Sequence, residues 1–282
     1  MASNTGTNTN LMSLRDLIRY HRDAFVVPLF WTSRHLDLVG CYFKHINISG
    51  TAPSSRSKTT ESESERPFSE WSDAELLAKR FLTLIKQDCI VSILVGPDRA
   101  FSSSAKGPAF FFGNRSVHKP RWTVFYPHSQ SHQPSKTEDG QKPSTLVACA
   151  HYTHIMSDRS WRFRPREDPS GKPNRIGHGL ARKKTDRVTP KEWTEDPYFV
   201  CHLLALAQLQ EREWTTEKGP KPTSYTSRLI VTNALDHDYI HLFEAQISAE
   251  LLQVLKEPES NAANDYVQWP SVLHKECTLH AI

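Results

Sequence analysis

The stretch Tyr198–Leu209, Tyr-Phe-Val-Cys-His-Leu-Leu-Ala-Leu-Ala-Gln-Leu, constrains this chain more than any other. It is apolar nearly all round, and a helix of that kind must be covered on most sides. Asp196-Pro197 gives its start signal, and the pattern runs out near Trp214. Two strand-like runs follow, Arg228–Leu235 and Tyr239–Ile247, with Asp236-His237-Asp238 as the turn between them. Ser248 then caps a short helix that Pro258 stops. The block Asp196–Leu255 is therefore where the core is expected.

The rest of the chain supplies the partners for that core. Apolar residues at 11, 14, 17 and 18 give Leu11–Asp23 helical spacing, with Ser13 inside its first turn. Phe25–Trp31 and Leu36–Ile48 are rich in β-branched and aromatic residues and read as strands. Ser72 and Glu75 form a capping box that opens a helix over Asp73–Gln87. Cys89–Val95, Pro108–Phe112, Trp122–Tyr126 and Leu146–Ile155 read as further strands. Thr189-Pro190-Lys191-Glu192 is a second capping box, just ahead of the long helix. Strands that run consecutively favour α+β over a doubly wound sheet. The expectation is a mixed or antiparallel sheet with a long buried helix and long polar loops. Residues 1–10 are expected to be a disordered terminus and 11–282 a single domain. Its loops are expected at 50–68, 129–144 and 157–188.

Hydrophobic content is 38% of 282 residues, which fits a real core diluted by polar loops. A net charge of +4 is too small to imply nucleic acid by itself. No apolar run approaches the ~18 residues needed to span a bilayer, so no membrane partner is expected. Cys41, Cys89, Cys149, Cys201 and Cys277 are scattered and never spaced as C-x-x-C. Reduced thiols in a cytoplasmic or nuclear protein are the expectation.

Three groupings carry potential chemistry. Asp236, Asp238, His241 and Glu244 bring carboxylates and an imidazole close together, with His237 four residues from His241. Metals accept such ligands, although the spacing matches no standard site and Asp is an ordinary turn residue. The basic stretch Arg159–Arg187 includes Arg159, Arg162, Arg164, Lys183 and Lys184, interleaved with Trp161 and Phe163. It could hold phosphates and stack on bases, but a solvated loop is the plainer expectation. Glu244-Ala245-Gln246 resembles a degenerate E-x-K element, and the order of elements resembles the PD-(D/E)XK nuclease core. There the helix would be Asp73–Gln87, and the three-strand meander Cys89–Val95, Pro108–Phe112 and Trp122–Tyr126. That chemistry needs an acid on the second strand and acid–x–Lys on the third to hold a metal. Neither strand has one. No nucleophile elbow, phosphate loop, dinucleotide fingerprint or zincin motif is present, so no cofactor and no resident metal is expected.

Trp193–Tyr198 with Leu203–Gln210, then Tyr239–Ala245 and a short helix ending in proline, resembles a block in uncharacterised proteins of filamentous fungi. The similarity covers about the last third of the chain. It implies no established activity and at most an accessory role beside specialised-metabolite pathways. The expected function is non-catalytic binding, with a protein or a small molecule as partner. A metal-dependent hydrolase or nuclease and a nucleic-acid-binding protein are the alternatives.

Overall fold

A computed structural model describes residues 12–46, 72–79, 83–96, 99–104, 107–127, 146–214, 219–236, 238–260 and 265–278. The expected loops 50–68 and 129–144, and the expected disorder of residues 1–10, lie outside the described residues. The helices in chain order are α1 (Leu14–Tyr20), α2 (Ser33–Val39), α3 (Asp73–Lys79), α4 (Thr83–Leu94), α5 (Tyr152–Arg162), α6 (Arg175–Val188), α7 (Tyr198–Glu213) and α8 (Ala249–Lys256). The strands are β1 (Tyr42–Ile46), β2 (Phe101–Ser104), β3 (Phe110–Phe112), β4 (Arg115–His118), β5 (Thr123–Pro127), β6 (Val147–His151), β7 (Ser224–Thr232), β8 (Tyr239–Ser248) and β9 (Ser271–Thr278). Seven strands form one mixed sheet in the order β1-β9-β8-β7-β6-β5-β2, and β3 pairs with β4 in a separate hairpin. The β1–β9 and β6–β7 pairs are parallel and the other pairs of the sheet antiparallel. The fold class is α+β, as the run of strands implied.

The long helix is as buried as its sequence demands. Every residue from Tyr198 to Ala207 is buried, and Leu203, Leu204 and Leu206 are fully enclosed. Full burial of one such leucine contributes about 1.5–3 kcal/mol, so this helix alone supplies a large part of the core. The sheet face beneath it comes from strict alternation. On β7 the inward residues are Tyr225, Ser227, Leu229 and Val231; on β8 they are His241, Phe243, Ala245 and Ile247. The opposite face of β5 and β6 presents Phe125, Val147 and Cys149 to Leu77 of α3 and Cys89 and Ile90 of α4.

One buried ion pair joins the start of α7 to the rest. Asp196 receives Arg159 in two bonds, Nη1 to Oδ2 at 2.6 Å and Nη2 to Oδ1 at 2.8 Å, with both side chains fully enclosed. Asp196 Oδ1 also accepts the Tyr198 N–H, capping α7, and Arg159 Nε donates to the Leu29 carbonyl. Every charge-bearing atom is thus matched, which is the condition under which a buried pair holds.

Several expectations need correction. Cys89–Val95 is not a strand but the second half of α4. A short apolar run fits either element, and here Lys86, Cys89 and Ile90 share one buried helical face. Pro108–Phe112 contributes to the small hairpin, not to the main sheet. Phe25–Trp31 forms 3-10 turns, and Leu36–Ile48 splits into α2 and β1 at Gly40, whose φ of 69° ends the helix. Ser13 is the N-cap of α1 and not a residue of its first turn. Residues 157–188 are not a loop: they contain the end of α5 and all of α6, which Asn174 caps. The strand β9 was not anticipated.

Candidate functional site

The residues that a metal-dependent hydrolase would use, Asp236, Asp238, His241 and Glu244, do not converge. Residues 241 and 244 lie on opposite faces of β8, as an odd separation on a strand requires. Glu244 turns away and accepts from Arg228 Nε at 2.6 Å. Asp238 is exposed, and its N–H donates to Asp236 Oδ1. His237 lies outside the described residues. Only Asp236 and His241 meet, with Oδ2 and Nε2 2.7 Å apart.

That contact is one end of a longer chain of hydrogen bonds across three strands. His241 Nδ1 lies 2.9 Å from His274 Nε2, and His274 Nδ1 lies 2.7 Å from His45 Nδ1. His45 Nε2 reaches Glu195 at 2.9 Å. The array therefore runs carboxylate, three imidazoles, carboxylate, with His241 and His274 buried and His45 and Glu195 partly open to solvent. Buried Lys86 approaches the inner end, its Nζ 3.4 Å from the Asp236 carbonyl.

The protons in this array can be counted. Four links need four protons, and neither ionised carboxylate can donate. Three neutral imidazoles carry three. The array is fully bonded only when one ring holds an extra proton. Burial, with His241 and His45 as neighbours, pushes His274 down to about 4. His241, His274 and Glu276 bring ligand atoms within 4.8 Å of one another. The His241 and His274 rings, however, are nearly coplanar, 10° apart, and face each other nitrogen to nitrogen. A metal about 2.0–2.1 Å from each nitrogen would hold them farther apart, with converging lone pairs. The geometry is that of a hydrogen bond.

The basic stretch is also divided by the fold. Arg159 is sealed in its pair with Asp196 and cannot reach a nucleic acid. Arg162, Arg164, Lys183 and Lys184 are exposed on and beside α5 and α6. The meander expected over Cys89–Val95, Pro108–Phe112 and Trp122–Tyr126 does not form; β2, β5 and β6 make an antiparallel meander instead, with β6 parallel to β7. Its second strand opens on Thr123, and its third ends Cys149-Ala150-His151, with Thr123 opposite Cys149. No acid stands on either strand. Burial pushes the Cys149 thiol up to about 12, which leaves it inert.

A concavity lies elsewhere, among α1, α2, the β3–β4 hairpin and Trp269. Its volume is about 520 Å³. Phe25, Val27, Phe110 and Phe112 are among the lining residues, which are apolar apart from the ring of His35 and the indole N–H groups of Trp31 and Trp269. His35 belongs to the cap of α2: the Thr32 N–H donates to its Nδ1 at 2.9 Å. A neutral imidazole that accepts at Nδ1 carries its proton on Nε2. Burial holds the His35 pKa down, which keeps the ring neutral. Nε2 is buried without a hydrogen-bond partner; the Ala24 carbonyl exerts a pull on the ring but is not in bonding geometry. The cavity thus offers a few donors in an apolar wall. Nothing local in the sequence distinguishes these apolar residues from core residues, and the unfilled volume is visible only in three dimensions.

No protein-family model matches the chain, and no curated protein is recognisably similar to it.

Proposed function

We propose that the protein is a non-catalytic binding protein that holds an apolar small molecule in the cavity beneath α1 and α2. The observation that carries this reading is a cavity of about 520 Å³ whose apolar wall holds only His35 and the indoles of Trp31 and Trp269 as donor side chains. Drug-sized ligands occupy pockets of about 300–1,000 Å³ that are mostly apolar with a few placed polar groups. The ligand would be a largely hydrocarbon or aromatic molecule with one acceptor, such as a carbonyl, ether or hydroxyl oxygen. No carboxylate, thiol, amine or hydroxyl side chain lines the cavity, so its chemistry is retention and not turnover. An accessory role beside specialised-metabolite enzymes would suit a carrier of such a molecule.

Titration of the full chain with Nile red, a neutral dye with a carbonyl acceptor, tests this. Saturable binding at one site is expected, with a change in the fluorescence of Trp31 and Trp269 in the wall. Val117→Trp, at the partly exposed mouth, should weaken it by about tenfold or more, since a filled mouth forfeits apolar contact. His35→Phe should weaken it by about 5–30-fold, the worth of one lost hydrogen bond. Equal dye affinity in the wild type and in a stably folded Val117→Trp variant would overturn the reading.

A further inference from the structure

A second concavity, of about 410 Å³, opens on the sheet face that packs against α4. Its floor is Thr123 of β5, Cys149 and His151 of β6, and Thr232 of β7. The carboxyl ends of the parallel strands β6 and β7 lie side by side there, with His151 paired to Thr232. Crevices at such strand ends are where open sheets hold ligands. The chain turns directly from β6 into α5, so the first turn of that 11-residue helix opens at the same place and brings His154 into the wall. Free N–H groups and the positive end of the helix dipole favour an anion there.

The side chains agree in sign. Lys119 and Arg121 stand exposed at the rim, and no carboxylate lines the cleft. The nearby acid Asp158 faces Arg121 at 3.6 Å from outside the lining. His151 is 6% exposed, and its Nε2 has no hydrogen-bond partner. The Thr153 N–H donates to His151 Nδ1 at 3.4 Å, so the proton of the neutral ring sits on Nε2. Burial, then His154 and Lys86, push this ring down to about 4, which leaves it an uncharged donor near neutral pH. A metal at Nε2 would force the proton to Nδ1, against the Thr153 N–H. Gln87 donates to Thr123 Oγ1 at 2.8 Å, which frees the threonine hydroxyl hydrogen to donate in turn. Gly107 closes one wall where nothing larger fits: a Cβ there would lie 1.8 Å from Trp122 Nε1.

We propose that this cleft binds the phosphoryl group of a small molecule without a divalent metal. Lys119 and Arg121 supply the charge, and His151 Nε2–H and the Thr123 hydroxyl supply directed hydrogen bonds. A phosphoryl group fits better than a carboxylate because it offers three acceptor oxygens to donors from β5, the end of β6 and the segment between β4 and β5. No carboxylate lines the cleft to hold a metal, so the phosphoryl group is held directly by donors and cations. The inference is independent of the apolar cavity and of any ligand there.

Calorimetric titration of the full chain in excess EDTA tests it, with inorganic phosphate, phenyl phosphate and acetate as probes. Saturable binding of a phosphate probe, stronger than acetate and weaker at higher salt, is expected. Tighter binding of inorganic phosphate would identify the free anion as the ligand, and tighter binding of phenyl phosphate a phosphorylated metabolite. Lys119→Ala with Arg121→Ala should weaken binding by about tenfold or more, since charge-assisted bonds are the strong ones. Both residues are exposed, so an unchanged thermal midpoint will show that the fold is intact. Thr123→Asp should abolish binding by placing a carboxylate on the floor. Failure of both phosphates to bind, equal affinity in the Lys119→Ala/Arg121→Ala variant, or binding only after Mg²⁺ is added would each overturn the proposal.

Discussion

His241, His274 and His45 differ from His35 and His151 in one respect: whether every ring nitrogen has a partner. In the array each nitrogen meets another nitrogen or a carboxylate. In the cavity and in the cleft, Nδ1 is taken by a backbone N–H and Nε2 has nothing. Buried polar groups are nearly always satisfied, so a matched histidine has its work inside the fold. An unmatched one in the wall of a concavity, as at His35 and His151, is a donor that a bound molecule would complete. Residue type alone therefore does not separate scaffold from site; the hydrogen-bond count does.

Breaking a matched group should cost far more than removing an unmatched one. Arg159→Met leaves the Asp196 carboxylate buried and alone, and should destabilise by about 3–5 kcal/mol in chemical unfolding. His274→Leu leaves nitrogens of His45 and His241 without partners and should cost about 2–4 kcal/mol. His151→Leu loses only a weak cap on Thr153 and should fall within about 1 kcal/mol of neutral near pH 7. If His151→Leu proves as costly as His274→Leu, the distinction drawn between them is wrong.

Acid sharpens the same contrast. Burial holds His118, His151 and His274 down to about 4 and His202 to about 3. Between those values and the ordinary imidazole value of about 6.5, the unfolded chain binds protons that the folded chain does not. Stability is then complete above about pH 6.5 and falls as the pH drops toward 4. Unfolding at a series of pH values should show this slope, and His151→Leu should flatten it. A stability profile that stays level from pH 7 to pH 4.5 would contradict the assignment. The smallest effect is spectroscopic: ¹⁵N shifts near pH 7 should show His151 as a neutral ring protonated on Nε2.

What could be read in the sequence was whatever is local. The Ser72–Glu75 capping box, the Asp196 start of α7 and the β7–β8 hairpin rest on residues within a few positions of one another, and each is present. Short apolar runs are ambiguous, and Cys89–Val95, most of it the second half of α4, reads equally well as a strand. The run of charge, glycine and proline after Ser157 hid α6, whose 14 residues bury no side chain. The array could not be foreseen, because His45 and His274 are 229 residues apart and meet only through β9. The cleft escaped notice for a related reason: Gln87, Lys119, His151 and Thr232 come from four separate segments. Asp236, Asp238, His241 and Glu244 drew attention by adjacency in sequence, and a strand sends its alternate residues apart.

The pairing of β1 with β9 has a consequence in time. The strand β9 lies between β1 and β8 in the sheet, so β1 has no edge to join until a segment 229 residues away has docked. Contacts of such separation carry the largest loop-closure cost and tend to form late. Substitutions in β1, such as Phe43→Ala, should then hasten unfolding while leaving the folding rate nearly unchanged. The outer end of the histidine array would be the last part of the molecule to become ordered and the first to open.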